Sequence, residues 1–419
     1  MKKQTLKTEK KENIKEKTNI NVLISGTGNI NIEKDDKDSF KIVGERLLNI
    51  PSEEMDFKLE KEARSKANKF IYTQLANKLE KSIRTENLIL LTGAGSSIEC
   101  GGPSMPGLWK ITSKDSNITQ NWEDLLNASG YKPKKGKENL EELLSNLQAI
   151  THAYEINKEG KDFSEIIKKI ENKILEECEK VKIDEKSSHV RFLMRILRGR
   201  SISTPRLKVF TLNYDTAFEQ ASTKIEAVLI DGFSFSSEKT FKSTEFDLDI
   251  VQRERSRIHN EENFYKKVFQ LYKIHGSVNW RFDSIKKEIT KDNGKGNRVL
   301  IYPNSSKFER SFEMPFFEMI SRLQAVLRSE NTTLLIVGYS FGDEHINRII
   351  EESINNNLNL EVFIIKPTLS GEKIDEYIER VNKGSKNIHL ISSTFEQFAN
   401  GMPDAKIGQT HLEEDNEMI

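Results

Sequence analysis

One short stretch constrains the fold of this chain more than any other: an apolar run that passes directly into a turn of small residues. Residues 88–91 are short and apolar enough to form a buried strand, and residues 92–97 read TGAGSS. Glycines let backbone N–H groups approach a ligand, so a strand that leads through such a turn into a helix can bind phosphate. The dinucleotide pattern G-x-G-x-x-G is incomplete, because Ile98 occupies its last glycine position. By itself the stretch fits either a phosphate-binding turn or an ordinary tight turn.

Similar apolar runs recur towards the C-terminus, separated by segments with the spacing of amphipathic helices. Short runs of this kind predict parallel strands that are covered by helices on both faces. The expected fold class is therefore α/β, with a Rossmann-type parallel sheet. The runs comprise residues 209–212, 271–274, 299–302, 334–337, 362–365 and 388–391.

Two further segments are expected to extend this sheet domain. Residues 122–200 place apolar side chains at helical spacing and predict an all-helical insertion whose stripes pack in a core. Residues 18–33 alternate apolar and polar around a Gly-Thr-Gly turn, which predicts a small N-terminal β-hairpin. The predicted domains are 1–60, a charged tail plus the hairpin extension; 61–400, the main domain with its insertion; and 401–419, a polar tail.

The composition narrows the class of protein. Lys plus Arg and Asp plus Glu each number 65, so the formal net charge is zero, which argues against direct binding of nucleic acid. No apolar run approaches the roughly 20 residues of a membrane helix, and no apolar segment follows the basic N-terminus, so we expect a cytoplasmic protein. Cys100 and Cys178 are the two cysteines, too few for a disulfide framework or a four-cysteine zinc site, and no metal is expected.

Unusual polar groups follow four of the expected strands. In an open parallel sheet, ligands bind at the carboxyl ends of the strands, and all four groups belong to that edge. Each group alone has an ordinary explanation, since Asn-x-Asp often forms a turn or a helix cap. Four of them at one edge favour a binding site. They are the turn 93–97, Asn213 with Asp215, His275 with Ser277, and Tyr339 with Ser340 and Asp343.

Four sequence blocks also resemble a known family. TGAGSS, TLNYDTAFE, LYKIHGS-x-x-W and LLIVGYSFGDEHIN are similar to blocks of the sirtuin-like domains of bacterial anti-phage defence proteins. They occur in the family's order between residues 88 and 350. The resemblance implies a Rossmann-type domain with a helical insertion that binds NAD+ and breaks its nicotinamide–ribose bond.

The resemblance also implies roles for individual residues. Asn213 orients a water near the nicotinamide ribose, and His275 is the catalytic histidine, with an imidazole suited to general-base catalysis near neutral pH. Asp215 holds the nicotinamide end or the loop around it. Asp343 and His345 begin the next helix, where a helix cap and a ligand contact are both open interpretations of Asp343. The other residues expected to bind NAD+ are Gly93, Ala94, Gly95, Ser96, Ser97, Gly276, Ser277, Gly338, Tyr339, Ser340 and Phe341.

The chain departs from the sirtuin deacylases at two points. The deacylases carry a zinc ribbon with four cysteines, whereas this chain has two cysteines and no C-x-x-C pair. Their Pro-Asp-Phe-Arg run is replaced by PSMPG at residues 103–107, and we expect residues 103–109 to form a flexible loop over the nicotinamide side. Both differences favour water as the acceptor, so the expected reaction is NAD+ + H2O → ADP-ribose + nicotinamide. The alternatives are an NAD+- or ADP-ribose-sensing module without turnover, and a protein deacylase or ADP-ribosyltransferase.

The resemblance further implies a cellular role and partners. Similar stand-alone proteins deplete NAD+ in abortive infection and pair with a HerA-type hexameric ATPase. We therefore expect a homo-oligomer that such an ATPase controls, without membrane contact. The N-terminal hairpin and the helical insertion are the expected contact surfaces.

Overall fold

A computed structural model provides the three-dimensional structure of the chain. None of the helices that it describes is long and apolar enough to cross a membrane. The predicted charged tail, most of the predicted C-terminal tail and the last residue of the run 299–302 lie outside the described residues. The described residues are 19–34, 39–45, 56–134, 138–158, 161–252, 264–291, 294, 296–301 and 314–404.

Strands and helices alternate from residue 316 to the end of the described chain, whereas the described residues of 19–57 form strands and those of 105–199 form helices. The strands are β1 (Asn19–Ser25), β2 (Gly28–Lys34), β3 (Phe40–Glu45), β4 (Asp56–Phe57), β5 (Asn87–Thr92), β6 (Leu207–Thr211), β7 (Val228–Ile230), β8 (Val268–Lys273), β9 (Gly276–Asp283), β10 (Glu288–Lys291), β11 (Asn297–Leu300), β12 (Thr332–Val337), β13 (Leu360–Lys366) and β14 (Ile388–Ser392). The helices are α1 (Glu60–Arg84), α2 (Met105–Ser113), α3 (Trp122–Ser129), α4 (Leu140–Asn157), α5 (Ser164–Glu179), α6 (Ser188–Gly199), α7 (Ala217–Lys224), α8 (Phe316–Leu327), α9 (Glu344–Asn356), α10 (Glu372–Asn382) and α11 (Phe395–Gly401).

The main sheet has a parallel centre with helices on both faces. Its parallel strands lie in the order β14-β13-β12-β5-β6-β8-β7. On one face Leu90 and Val209 pack in a core with α1, α6, α7 and α11, and on the other Ile89 and Phe210 pack with α8, α9 and α10. Since both faces of these strands are buried, the strands read as continuous apolar runs. The predicted Rossmann-type α/β class is confirmed.

The order of the strands predicts a crevice beside β5. The chain passes from β5 to its neighbour β6 through α6 on one face, and it later passes from β12, the other neighbour of β5, to α9 on the opposite face. Connections that diverge in this way leave a gap at the carboxyl ends of the two strands, which is where open α/β sheets bind ligands.

One predicted strand belongs elsewhere. The run 299–302 was expected in the parallel sheet, but β11 pairs antiparallel with β9 in a separate three-stranded sheet with β10. The chain reverses between β8 and β9 at Gly276, which has a φ of +84°. A Cβ at this position would lie 2.3 Å from the Val299 carbonyl oxygen, so the tight reversal against β11 requires glycine.

The N-terminal hairpin is part of the main sheet. β1 and β2 form the predicted hairpin, and β1 pairs antiparallel with β14. β3 and β4, which the sequence pattern did not predict, extend the sheet by two more antiparallel strands. The hairpin thereby gains the additional strands and the hydrophobic face that an isolated hairpin lacks.

The region predicted as a helical insertion contains helices with two different cores. Helices α2, α3, α4 and α5 share a core of their own, centred on residues such as Leu144 and Ile170. Helix α6 instead packs against the main sheet through Leu193. This packing does not test the predicted domain limits at 60, 122, 200 and 400, which stay predictions.

The segment after the glycine turn differs from its prediction. Residues 103–109 were expected to form a flexible loop, but α2 begins at Met105. The Ser104 hydroxyl accepts a hydrogen bond from the Gly107 N–H (3.2 Å), and Pro106 stands in the first turn, where its missing N–H costs nothing. Trp109 then packs edge-on against Trp122, with ring centroids 5.5 Å apart.

Candidate functional site

The four predicted polar groups lie side by side at one edge of the sheet. Thr92 at the end of β5 pairs with Val337 of β12 and with Thr211 of β6, and Thr211 pairs with Lys273 of β8. The four strands therefore end at the same height along the strand direction, and the residues that follow them are neighbours. The structure thus places the groups in the order of the strands β12-β5-β6-β8, beside the crevice.

The glycine turn is packed directly against the end of β12. The Gly95 N–H donates to the Gly338 carbonyl oxygen (2.9 Å), and a Cβ on Gly95 would lie 2.6 Å from the Gly338 Cα. Gly338 has a φ of +63°, and a Cβ there would lie 2.4 Å from the Ser96 nitrogen. The glycines were predicted to let a ligand approach; in the structure they also let two backbone segments approach each other.

The N–H groups of the turn are already used within the protein. Ser96 N–H donates to the Gly93 carbonyl (3.0 Å) and Ser97 N–H to the Ala94 carbonyl (3.1 Å). The turn forms one turn of 3-10 helix over residues Ala94–Ser96. Ala94 is exposed and Gly95 half-buried, so these two residues present the surface of the turn.

Asn213 ties the end of β6 to this turn. Its side-chain Nδ2 donates to the Gly93 carbonyl (3.1 Å), to Ser96 Oγ (3.2 Å) and to Ser97 Oγ (3.0 Å). Ser96 and Ser97 are buried, whereas Asn213 is half-buried. The amide therefore holds the turn in place and lies at the boundary between protein and solvent.

Asp215 has local structural contacts. Its Oδ1 accepts a hydrogen bond from the Ala217 N–H (3.0 Å) at the start of α7. Its carbonyl oxygen contacts Nζ of Lys273, which is almost fully buried and also lies 3.3 Å from Oε1 of Glu219. Lys273 was missed from the sequence, although a lysine inside the apolar run LYKIHG could have indicated a buried cation with a fixed partner.

His275 is buried where β8 turns into β9. Its Nε2 lies 3.9 Å from Oδ1 of Asp343, at the residue before α9. The ring centroid is 6.2 Å from that of His345 and 6.5 Å from that of Tyr214. Asp343 makes no side-chain capping bond to α9, and its contact with His275 is neither of the two interpretations, so a ligand contact of Asp343 stays a prediction. Ser277, also fully buried, donates through Oγ to the Tyr214 carbonyl (3.3 Å).

The segment after β12 sends its aromatic side chains into the core. The Tyr339 hydroxyl donates to Oδ1 of Asn347 (2.9 Å) and accepts from the Asp343 N–H (3.2 Å). Burial raises the pKa of Tyr339 far above its usual range. Phe341, at a φ of +62°, packs on Tyr339 with ring centroids 4.8 Å apart, which leaves Ser340 as the exposed residue of the group. Asn347, missed from the sequence, fixes this loop by donating to the Phe341 carbonyl (2.8 Å).

The site combines groups with distinct chemical capacities. A buried imidazole next to a carboxylate can take a proton, since the carboxylate stabilises the resulting imidazolium. An amide at the solvent boundary can orient a small polar molecule. Together they can position and activate a nucleophile beside a ligand that lies across the glycine turn.

Comparison with known proteins points to one family. A family model described as a SIR2-like domain matches residues 207–391, which include β6, β8, β12 and the residues at their carboxyl ends. None of the curated proteins compared with the chain matches it.

Solved structures of sirtuins share low similarity with the chain. A mutant Sir2 homologue in complex with ADP-ribose is 15% identical, with 73% of this chain and 96% of that chain covered and a TM-score of 0.38. A Sir2 homologue in complex with NAD is 16% identical, with 73% and 94% covered and a TM-score of 0.35. Similarity of this degree does not carry an activity or a binding site from one chain to another.

Proposed function

We propose that this chain is an NAD+ glycohydrolase that converts NAD+ and water into ADP-ribose and nicotinamide. One observation carries the proposal: the glycine turn, Asn213 and His275 lie at the carboxyl ends of the adjacent strands β5, β6 and β8. Thr211 of β6 pairs with Lys273 of β8. Asn213 lies two residues after Thr211, and His275 lies two residues after Lys273. The match of residues 207–391 to a SIR2-like domain supports the same class of chemistry.

The binding mode follows from the positions of the exposed groups. The pyrophosphate lies over Ala94 and Gly95, the residues that form the surface of the turn, and Ser340 contacts the adenosine side. Gly95 N–H already donates to Gly338, so it contributes to phosphate binding as a shared, three-centre donor. Gly93 and Gly338 shape the wall of the crevice.

The catalytic roles follow from the chemistry of the bond that breaks. Nicotinamide leaves NAD+ as a neutral molecule from a cationic ring, so no general acid is needed for its departure. The charge that develops on the ribose resembles an oxocarbenium ion, and a correctly oriented water captures it. Asn213 orients this water, His275 takes its proton, and the Asp343 carboxylate, 3.9 Å from Nε2, stabilises the imidazolium.

The cellular role follows from this activity. Hydrolysis without a second substrate depletes NAD+, which suits a defence protein that stops the growth of an infected cell. Such an activity needs control, and we propose that a homo-oligomer assembled with a HerA-type ATPase provides it. The four-strand N-terminal extension and helices α2–α5 are the surfaces that we assign to these contacts.

The proposal is tested by incubating the purified protein with NAD+, with and without a candidate ATPase partner, and by quantifying nicotinamide and ADP-ribose. We expect equimolar products from the wild type, and no release above background from His275→Ala or Asn213→Ala. His152→Ala is the matched control, because His152 is exposed on α4 far along the chain from the site.

The same assay separates the other functions. Nicotinamide release that depends on an acetylated peptide indicates a deacylase, and transfer of ADP-ribose to protein indicates a transferase. Saturable NAD+ binding by calorimetry without any product indicates a sensing module. Any of these results, or turnover that survives both substitutions, refutes the assigned reaction.

A further inference from the structure

Three side chains with metal-binding atoms meet directly behind the glycine turn. Glu99 and Cys100 lie on the short 3-10 helix that follows Ser97, and His189 lies in the first turn of α6. The Cys100 Sγ is 3.9 Å from the His189 Nδ1 and 3.9 Å from the Glu99 Oε1. Across the described residues, no other group of three His, Cys, Asp or Glu ligand atoms lies within 4.8 Å of one another. We propose that Glu99, Cys100 and His189 form a binding site for a divalent transition metal, best matched by Zn²⁺.

The spacing of the ligand atoms suits such an ion. Zinc binds thiolate sulfur at about 2.3 Å and imidazole nitrogen at about 2.0 Å, so the two bonds together exceed the observed 3.9 Å separation. An ion placed between Cys100 and His189 therefore makes a bent S–Zn–N angle, as tetrahedral coordination requires. Three protein ligands of the types Cys, His and Glu leave a fourth position for water or an anion.

Two of the three ligands are already held in place. The His189 ring packs edge-to-face between Phe218 and Phe395, at centroid distances of 4.9 Å and 5.0 Å. The Glu99 Oε1 accepts a hydrogen bond from the Ser188 N–H (2.8 Å), and a carboxylate retains further lone pairs for an ion. Binding therefore costs little ordering of these side chains.

The polar end of the histidine faces the cluster. His189 is fully buried, and Nε2 has no hydrogen-bond partner in the described part of the chain, so Nδ1 next to Cys100 is the ring's polar contact. A metal ion binds the lone pair of a neutral imidazole, and Nδ1 is the ring nitrogen placed to offer it.

The surroundings of Cys100 favour a cation. Carboxylates lie around Cys100: the Glu99 Oε1 is 3.9 Å from Sγ, and the charges of Asp215 and Asp184 also act on the thiol. Such negative surroundings attract a cation. Binding follows Cys–SH + Zn²⁺ → Cys–S⁻–Zn²⁺ + H⁺, so one proton is released for each ion bound.

The position of the cluster connects it to the crevice. The Ser97 carbonyl accepts hydrogen bonds from the N–H groups of Cys100 (3.0 Å) and Gly102 (2.8 Å), and Ser97 Oγ accepts from Asn213 (3.0 Å). A metal on Cys100 fixes the segment that holds Ser97 and hence the glycine turn. The site itself does not depend on which reaction the crevice performs.

The test is a metal titration of the full chain after removal of metals by a chelator. Zn²⁺ is titrated in competition with a chromogenic chelator, and Co²⁺ is titrated while the near-ultraviolet thiolate-to-metal absorption is followed. We expect one equivalent to bind, and both Cys100→Ser and His189→Ala to weaken binding by more than about 100-fold. Cys178→Ser is the matched control, since the second cysteine lies on α5 in a different core, and it should bind like the wild type.

Several results overturn the proposal. They are the absence of stoichiometric binding, binding by Cys100→Ser at wild-type affinity, and equal loss in Cys178→Ser. If His189→Ala fails to fold by circular dichroism, Glu99→Gln replaces it, because Glu99 is exposed at the surface of the cluster. Wild-type affinity in that variant then contradicts the assigned ligand set.

Discussion

Two buried histidines lie beside carboxylates in the main sheet, one at the amino ends of its parallel strands and one at their carboxyl ends. His389, at the amino end of β14, has Nδ1 2.7 Å from Ser25 Oγ and Nε2 2.9 Å from Oε1 of Glu361. His275, at the carboxyl end of β8, has Nε2 3.9 Å from the nearest oxygen of Asp343. Burial beside a carboxylate describes both histidines, so it does not by itself identify a catalytic one.

His389 helps to attach the N-terminal strands to β14. Burial keeps the pKa of His389 below its usual range, so the neutral ring donates from Nε2 to Glu361 and accepts at Nδ1 from the Ser25 hydroxyl. Lys78 of α1 also binds Glu361 (3.1 Å). This network joins β1, β13, β14 and α1, and its geometry leaves no ring nitrogen for chemistry.

Replacing each histidine with alanine tests the difference between them most directly. We expect His275→Ala to lower the rate of NAD+ hydrolysis by about 10²–10⁴-fold, because a general base is lost. His389→Ala should destabilise the fold but retain turnover within about twofold per folded molecule. The reason is that His389 contributes to stability and takes no part in the proposed reaction. The measurements are nicotinamide release and calorimetric unfolding. Similar losses of turnover in both variants would remove the distinction.

A second substitution tests the strength of the structural network. Glu361→Ala should lower the free energy of unfolding by about 3 kcal/mol, because it leaves the buried His389 without its acceptor and Lys78 without its counter-charge. Glu80→Ala is the control, since Glu80 pairs with Arg84 on the exposed side of α1 (2.7 Å) and should cost less than about 0.5 kcal/mol. Urea unfolding measures both. Equal effects would show that the network does not stabilise the attachment.

The pH dependence of stability sharpens the same point. Burial alone would raise the pKa of Glu361, but the bond from His389 and the charge and bond of Lys78 lower it from 4.5 to about 2. A depressed carboxyl pKa adds stability above pH 4.5 that disappears as the pH falls towards 2, amounting to about 3 kcal/mol. Chemical unfolding of the wild type between pH 5 and 2 should show this loss. If the free energy of unfolding of Glu361→Gln falls with pH as steeply as that of the wild type, other groups cause the loss.

The smallest expected effect concerns the partner of His275. Asp343→Asn should reduce turnover by about tenfold, because an amide does not stabilise the imidazolium as a carboxylate 3.9 Å away does. Glu344→Gln, at the exposed next position, should leave the rate unchanged. Steady-state kinetics at saturating NAD+ provide the comparison. Full activity of Asp343→Asn would show that Asp343 only shapes the loop and does not assist His275.

Much of the sheet could be predicted from the sequence because its strands are buried on both faces. Residues 88–91 and 334–337 are wholly apolar, so periodicity alone finds them. β7 has three residues and follows α7 closely, which is too short to produce a pattern. The run 299–302 is apolar and of the right length, and its first two residues end β11, but nothing local shows that Gly276 turns the neighbouring strand back against it.

The candidate site was predictable as a neighbourhood but not in detail. Parallel strands end at one level, so residues after β5, β6, β8 and β12 had to be neighbours. Side-chain direction depends on the local backbone: at Phe341, a positive φ sends the ring into the core and leaves Ser340 outside. The contact of Nζ of Lys273 with the Asp215 carbonyl likewise depends on the path of the next loop, which no spacing reveals.

The outermost strands of the main sheet carry a consequence for self-association. β4 has two residues and pairs with Phe40 and Lys41 of β3, and β7 has three residues and pairs with Val268, Phe269 and Gln270 of β8. Long exposed edges invite strand addition and aggregation, and short ones resist it. The N-terminal extension covers β14, the last strand of the parallel part of the sheet, because β1 pairs with it. The side of β14 that faces away from β13 is therefore paired within this chain and is closed to strand addition by another copy.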